Sequence, residues 1–208
     1  MPESKGVCIW FTGRSGAGKS TVARALVSLL YKHGRIVTML DVVPCLEKRW
    51  FERTSRGKLI RKAFVAAAVV QHGGVAICVT ISARRETREA VRRLIGPSSF
   101  VEVFMDAPSD VCMTRRAARG RRRSAAKRLK GAIRRLLACL PFWPRSSYQT
   151  PLYPEITLSG VARSPEESAL AIFHLLVDRG FVIAEEPQGC SHGSGPAGEL
   201  QTVPGSMI

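Results

Sequence analysis

Lys19 is the residue whose neighbours point most directly to chemistry. It closes the stretch GRSGAGKS, Gly13 to Ser20, which fits the spacing G-x-x-x-x-G-K-[ST]. Gly13, Gly16 and Gly18 let the backbone curl so that successive N–H groups face inward. Arg14, Ser15 and Ala17 supply further amides, and Thr21 follows in the first helical turn. An inward ring of amides at a helix start is an anion site. Lys19 adds a point charge for the β- and γ-phosphates, and Ser20 adds a hydroxyl for Mg²⁺. The stretch therefore predicts a P-loop that holds a nucleoside triphosphate. A Gly-rich linker would leave the lysine and the apolar run before it unexplained.

In open parallel sheets, ligands gather beyond the carboxyl ends of the strands. Asp41, Ser82 and Asp106 each end an apolar run that reads as a strand. All three are expected on the edge that carries the loop. A carboxylate there can orient or deprotonate an accepting hydroxyl, or hold Mg²⁺ through water. The competing reading for each is a polar residue that caps the next turn.

The elements that must position these groups follow from periodicity. Val7 to Thr12, Ile36 to Leu40, Val75 to Ile81 and Phe100 to Met105 read as buried strands, with a short fifth at Glu155 to Leu158. Helices are predicted over Lys19 to His33, most of Leu46 to Gln71, about Arg84 to Leu94, and from about Ser109. SPEE, Ser164 to Glu167, is a capping signal that opens a helix reaching Val177. Strands alternating with helices imply an α/β fold, a three-layer P-loop NTPase-type parallel sheet with helices on both faces. The domain is expected over residues 1–185. From about Glu186 to Ile208 periodicity is lost, and a disordered tail is expected.

The chain has 208 residues and a formal net charge of +16. The excess is concentrated: Arg115 to Arg135 holds 11 Lys or Arg and no acid. The molecule thus reads as an ordinary domain with one strongly basic lid insert, at about residues 115–147, and an anionic partner is favoured. No run of 18 apolar residues occurs, so no membrane partner is expected. The six cysteines form no CxxC pair and read as reduced, buried thiols of a cytoplasmic protein.

Longer stretches resemble the adenylylsulfate (APS) kinases. IWFTGRSGAGKSTVARAL resembles the opening of that family. FVAAAVVQHGGVAICVTISARRETREAVR resembles the stretch that ends in Ile-Ser-Pro-Tyr-Arg. FVEVFMDAPSDVC and YQTPLYPEITL resemble the fourth strand and the Pro-Tyr-Glu-x-Pro segment. The resemblance covers roughly Gly6 to Phe181. It implies a kinase using ATP and Mg²⁺ to phosphorylate the 3′-hydroxyl of APS, giving PAPS. It also raises a homodimer and a sulfate adenylyltransferase partner, for which the sequence itself carries no signal.

Carried over residue by residue, the resemblance makes Lys19, Asp41 and Ser82 catalytic. Phe51 stands where a phenylalanine stacks on the APS adenine. Arg56 and Arg61 stand where arginines bind sulfate and phosphate, and Ser82 and Phe142 line the same side. The departures lie on that acceptor side. The family's Asp-Gly-Asp is reduced to Asp41, Ala83 and Arg84 replace Pro and Tyr, the Arg-x-x-Asn spacing is absent, and Gln149 replaces Glu. In the lid only Gly120 and Phe142 are retained, with Tyr148 and Pro151 nearby. Nothing near Ser82 in sequence supplies a base, which favours direct in-line transfer over a phosphoserine intermediate. Two alternatives remain open: a kinase for another small hydroxylated acceptor, and a basic ATP- or nucleic-acid-binding protein. Nucleic acid is disfavoured because few aromatics accompany the basic run.

Overall fold

The computed structural model describes residues 5–41, 55–121 and 148–183. Five strands form one parallel sheet: β1 (Val7–Thr12), β2 (Val37–Leu40), β3 (Val75–Val79), β4 (Phe100–Asp106) and β5 (Ile156–Ser159). Their spatial order is β2-β3-β1-β4-β5. The helices are α1 (Lys19–Lys32), α2 (Ser55–Gln71), α3 (Arg85–Ile95), α4 (Ser109–Arg121) and α5 (Pro165–Asp178). The expected α/β architecture is the one found.

Every residue of β1 is buried, which is why the strand reads as an unbroken apolar run. Its side chains alternate between two cores. Val7, Ile9 and Phe11 join Leu26 and Leu30 of α1 and Ile172 and Leu176 of α5. Cys8 and Trp10 join Ala63 and Ala66 of α2, Val91 of α3 and Phe100. Helices therefore cover both faces of the sheet.

Several boundaries differ from the sequence reading. β2 begins at Val37, because Ile36 is 80% exposed. β3 ends at Val79 rather than Ile81. Beyond it the Thr80 and Ser82 hydroxyls hydrogen-bond across to β1 and its end, and Ser82 takes a left-handed φ of 34°. α2 is described only from Ser55, so the expected helix from Leu46 lies partly outside the described residues. The tail from Glu186 lies outside them, as does residue 122 onward of the basic insert. The described start of that insert is helical, as the end of α4. α5 opens as expected: the Ser164 side chain accepts from the Glu167 N–H at 3.1 Å, and Glu167 accepts from the Ser164 N–H at 2.8 Å. Among the described residues no helix is long and apolar enough to cross a membrane.

Candidate active site

The loop of residues 13–18 leaves β1, the middle strand, at its carboxyl end and runs into α1. Gly13, Gly16 and Gly18 hold φ of 140°, 105° and 99°, a region side-chain-bearing residues rarely enter. Space also dictates glycine at two of them. A Cβ on Gly13 would lie 2.6 Å from the Met105 carbonyl oxygen, and one on Gly16 would lie 2.5 Å from that of Cys112. β4 and α4 thus press the loop into shape. Lys19 is buried, and its ammonium donates to the carbonyls of Gly13 and Arg14, both at 2.8 Å. A buried cation so placed at the mouth of the loop is positioned to meet phosphate oxygens. Ser20 lies partly exposed in the first turn of α1.

The glycine cradle and Lys19 fit a bound nucleotide triphosphate. Among the described residues no cluster of three His, Cys, Asp or Glu could hold a metal by itself. Mg²⁺ keeps waters and is held largely by substrate phosphates. Ser20 is the side chain placed to join them.

Strand register brings the other predicted residues to the same edge. Leu40, Cys78 and Trp10 lie abreast, so Asp41 follows β2 level with Val79 and Phe11. At two strand spacings, the backbone of Asp41 is about 10 Å from Phe11. Lys62 of α2 ties this edge together, donating to the Asp41 carbonyl at 2.9 Å and the Val79 carbonyl at 3.3 Å. Asp106 is exposed at the end of β4, and its carbonyl accepts from the Gly160 N–H at 2.6 Å.

Ser82 lies in the turn that follows β3. Its residue is 3% exposed and its hydroxyl is already engaged. It donates to Thr12 Oγ1 at 2.9 Å, accepts from Trp10 Nε1 at 3.2 Å and lies 2.9 Å from Thr80 Oγ1. Its proton goes to Thr12, one lone pair takes the Trp10 indole N–H, and no carboxylate or imidazole is among its hydrogen-bond partners. Ser82 thus ties the turn after β3 to the end of β1. Arg56 is exposed and pairs with Glu86 at 3.0 Å, while Arg61 is half-buried on α2. Phe51 and Phe142 lie outside the described residues.

Sequence reasoning missed Arg88 and Tyr148. Arg88 is 3% exposed. Its Nη1 donates to the Ser82 carbonyl at 2.6 Å and its Nη2 to the Gln149 carbonyl at 2.8 Å. Its Nε lies 2.9 Å from Glu102 Oε1, a charge contact in which that oxygen accepts no hydrogen bond. Burial raises the Glu102 carboxyl above its ordinary range, against the pull of Arg88 and Arg92. The signal was present: Arg88 lies three and seven residues before Val91 and Ile95 on the buried stripe of α3. An arginine there needs a buried acid, and Glu102 inside apolar β4 is that acid. Tyr148 is half-buried, and its hydroxyl lies 2.9 Å from Thr12 Oγ1. Burial raises its phenol above the ordinary range.

Comparison with known proteins agrees with this geometry. The sequence profile described as "Adenylylsulphate kinase" matches residues 5–159. The adenylyl-sulfate kinase of Halothermothrix orenii is 33% identical over 187 residues, 88% of this chain and 95% of that one. The Mycobacterium tuberculosis APS kinase CysC, solved in complex with AMPPNP and APS, superposes with a TM-score of 0.66 at 26% identity. The match covers 83% of this chain and 98% of that one. A hexameric APS kinase from Thiobacillus denitrificans superposes with a TM-score of 0.60 at 27% identity, covering 86% of this chain and 30% of that one.

Proposed function

This chain belongs to the adenylylsulfate kinase family, and we propose that its loop 13–20 holds the triphosphate of ATP while Asp41 faces the accepting hydroxyl. The protein is an ATP-dependent kinase. The γ-phosphoryl group of ATP passes to the 3′-hydroxyl of APS, giving PAPS and ADP. The observation that carries the site assignment is Lys19, buried and held by the carbonyls of a glycine loop at the sheet's carboxyl edge. When ATP binds, Lys19 exchanges those carbonyls for β- and γ-phosphate oxygens. Ser20 would hold Mg²⁺ brought by the nucleotide, and the ion would supply further positive charge for the transferring group. The carboxylate of Asp41 orients the 3′-hydroxyl and takes its proton as the phosphoryl group moves. The hydroxyl of Ser82, buried and with no base among its hydrogen-bond partners, supports direct in-line transfer.

On the acceptor side, Arg61 and Arg56 are assigned to the sulfate and phosphate of APS. Arg56 leaves an exposed pair with Glu86 to do so, and pairs of that kind contribute little. Phe51 and Phe142 complete this side on the resemblance alone. Three buried free thiols, Cys8, Cys78 and Cys112, support a cytoplasmic location. The reading includes a homodimer, with self-association known in one solved relative, and a sulfate adenylyltransferase as supplier of APS.

A coupled assay for ADP release, run with MgATP in the presence and absence of APS, tests the reading. APS-dependent release with PAPS as product is the expected result. ATP binding without APS-dependent turnover would move the acceptor to another hydroxylated anion.

A further inference from the structure

We propose that Tyr148 is a positioning residue for phosphoryl transfer, coupling the segment Tyr148–Thr150 to the start of the phosphate loop through Thr12. The segment is fixed first to the turn between β3 and α3. The Gln149 N–H donates to the Ala83 carbonyl at 2.9 Å, and Gln149 Oε1 accepts from the Arg85 N–H at 2.9 Å, capping α3. Arg85 Nε donates to the Thr150 carbonyl at 2.7 Å, and Arg88 holds the Gln149 carbonyl. Tyr148 then reaches the other way. Its ring stacks on Phe104, centroids 6.0 Å apart and planes 10° from parallel, with the Arg88 guanidinium 5.7 Å from its centre.

The direction of the protons follows from the partners. Thr12 Oγ1 donates to the Ile81 carbonyl at 3.0 Å and accepts from Ser82 Oγ at 2.9 Å. Its one proton is spent, so Tyr148 must be the donor across their 2.9 Å contact. Thr12 thus gathers the end of β1, the turn after β3 and the segment after the basic insert on one oxygen. The next residue is Gly13, whose carbonyl holds Lys19. A shift at Thr12 reaches the Lys19 anchor within one peptide unit. Tyr148 touches no reacting atom on this account. It sets the register between the phosphate loop and the turn beside the acceptor, and its kinetic consequence rests on the kinase reading above.

The test uses the full chain with Tyr148→Phe, Thr12→Val and both together. Tyr148→Phe keeps the stack and removes only the donor. Expected is a fall in kcat of about tenfold, with KM for MgATP changed by less than about twofold, because displacements well under an ångström already slow transfer. The double variant is expected to be no slower than the slower single one, as for two groups acting through one bond. Wild-type kcat in Tyr148→Phe overturns the proposal, as do single-variant losses that multiply. A second readout does not depend on the acceptor. In a Trp50→Phe/Trp143→Phe background Trp10 is the sole tryptophan, and its indole N–H donates to Ser82. Adding Tyr148→Phe is expected to move that indole proton resonance, since linked hydrogen bonds polarise one another. If the wild type shows no APS-dependent turnover, the kinase reading fails by itself. The coupling then stands if the resonance moves and is overturned if it does not.

Discussion

At the scale of single residues, Lys19 is assigned to the donor and Asp41 to the acceptor in the proposed function, and substitution should separate them. Lys19→Ala removes the cation from the β- and γ-phosphates, and ADP release is expected to fall to background. Asp41→Asn keeps the size and removes the charge. It is expected to leave the affinity for an ATP analogue within about twofold while kcat falls by about 10²-fold or more, the usual scale of general-base assistance. Transfer at the wild-type rate in Asp41→Asn would remove the assigned role. Lys19 was legible in the sequence because its surroundings are local: eight consecutive residues carry the whole loop. Tyr148 was not, because its partner Thr12 is 136 residues away and no local spacing encodes that contact. The surroundings of Ser82 were hidden for a related reason. Its place at a strand end was visible, but the hydroxyls of Thr12 and Thr80 that occupy it come together only in the fold.

At the scale of elements, the strands were legible because both of their faces are buried, so side-chain alternation leaves no polar gaps. The ends were harder. β3 stops where its polar side chains begin to bond sideways, and a run of apolar and small residues does not announce that change. The start of α5 was legible to the residue, since Ser164, Pro165 and Glu167 are its whole capping machinery. Ser164→Ala removes one half of the capping box, at a cost of about 1 kcal/mol. For a domain of this size the midpoint of thermal unfolding should fall by roughly 2–4 °C. Calorimetry checks this, and kcat is expected to stay unchanged because the two capping bonds run only between Ser164 and Glu167. α5 packs against α1, which opens at Lys19. A fall in kcat larger than the fall in stability would instead connect the two helices in function.

At the scale of the whole molecule, one long-range tie joins α3, β4 and the approach to β5. Arg92 grips Glu155 with two bonds of 2.6 and 2.9 Å, and the Glu102 N–H adds a third at 2.7 Å. Burial works to raise the Glu155 carboxyl, but these donors and the Arg92 charge outweigh it and hold it below the usual carboxylate range. With the folded pKa depressed, the unfolded chain binds more protons in the window between the two values. Stability is therefore present above the ordinary carboxylate range and is lost as pH falls through the depressed value. Glu155→Gln should cost about 1.5–3 kcal/mol near pH 7, the range for hydrogen bonds to a charged group. The difference from the parent should close as the pH drops into the acid range, which urea titrations at several pH values would show. Glu102, raised by burial, works in the opposite direction, and because the Glu155 charge adds to that rise its contribution changes in the variant too.

The alternation of β1 has a consequence for how the molecule opens. One strand supplies Val7, Ile9 and Phe11 to one core and Cys8 and Trp10 to the other. Neither helical layer can peel away while its neighbour stays intact without stripping a face of that strand. The amide protons of β1 should then exchange with solvent only when the whole domain unfolds, which makes them the slowest clock in the chain.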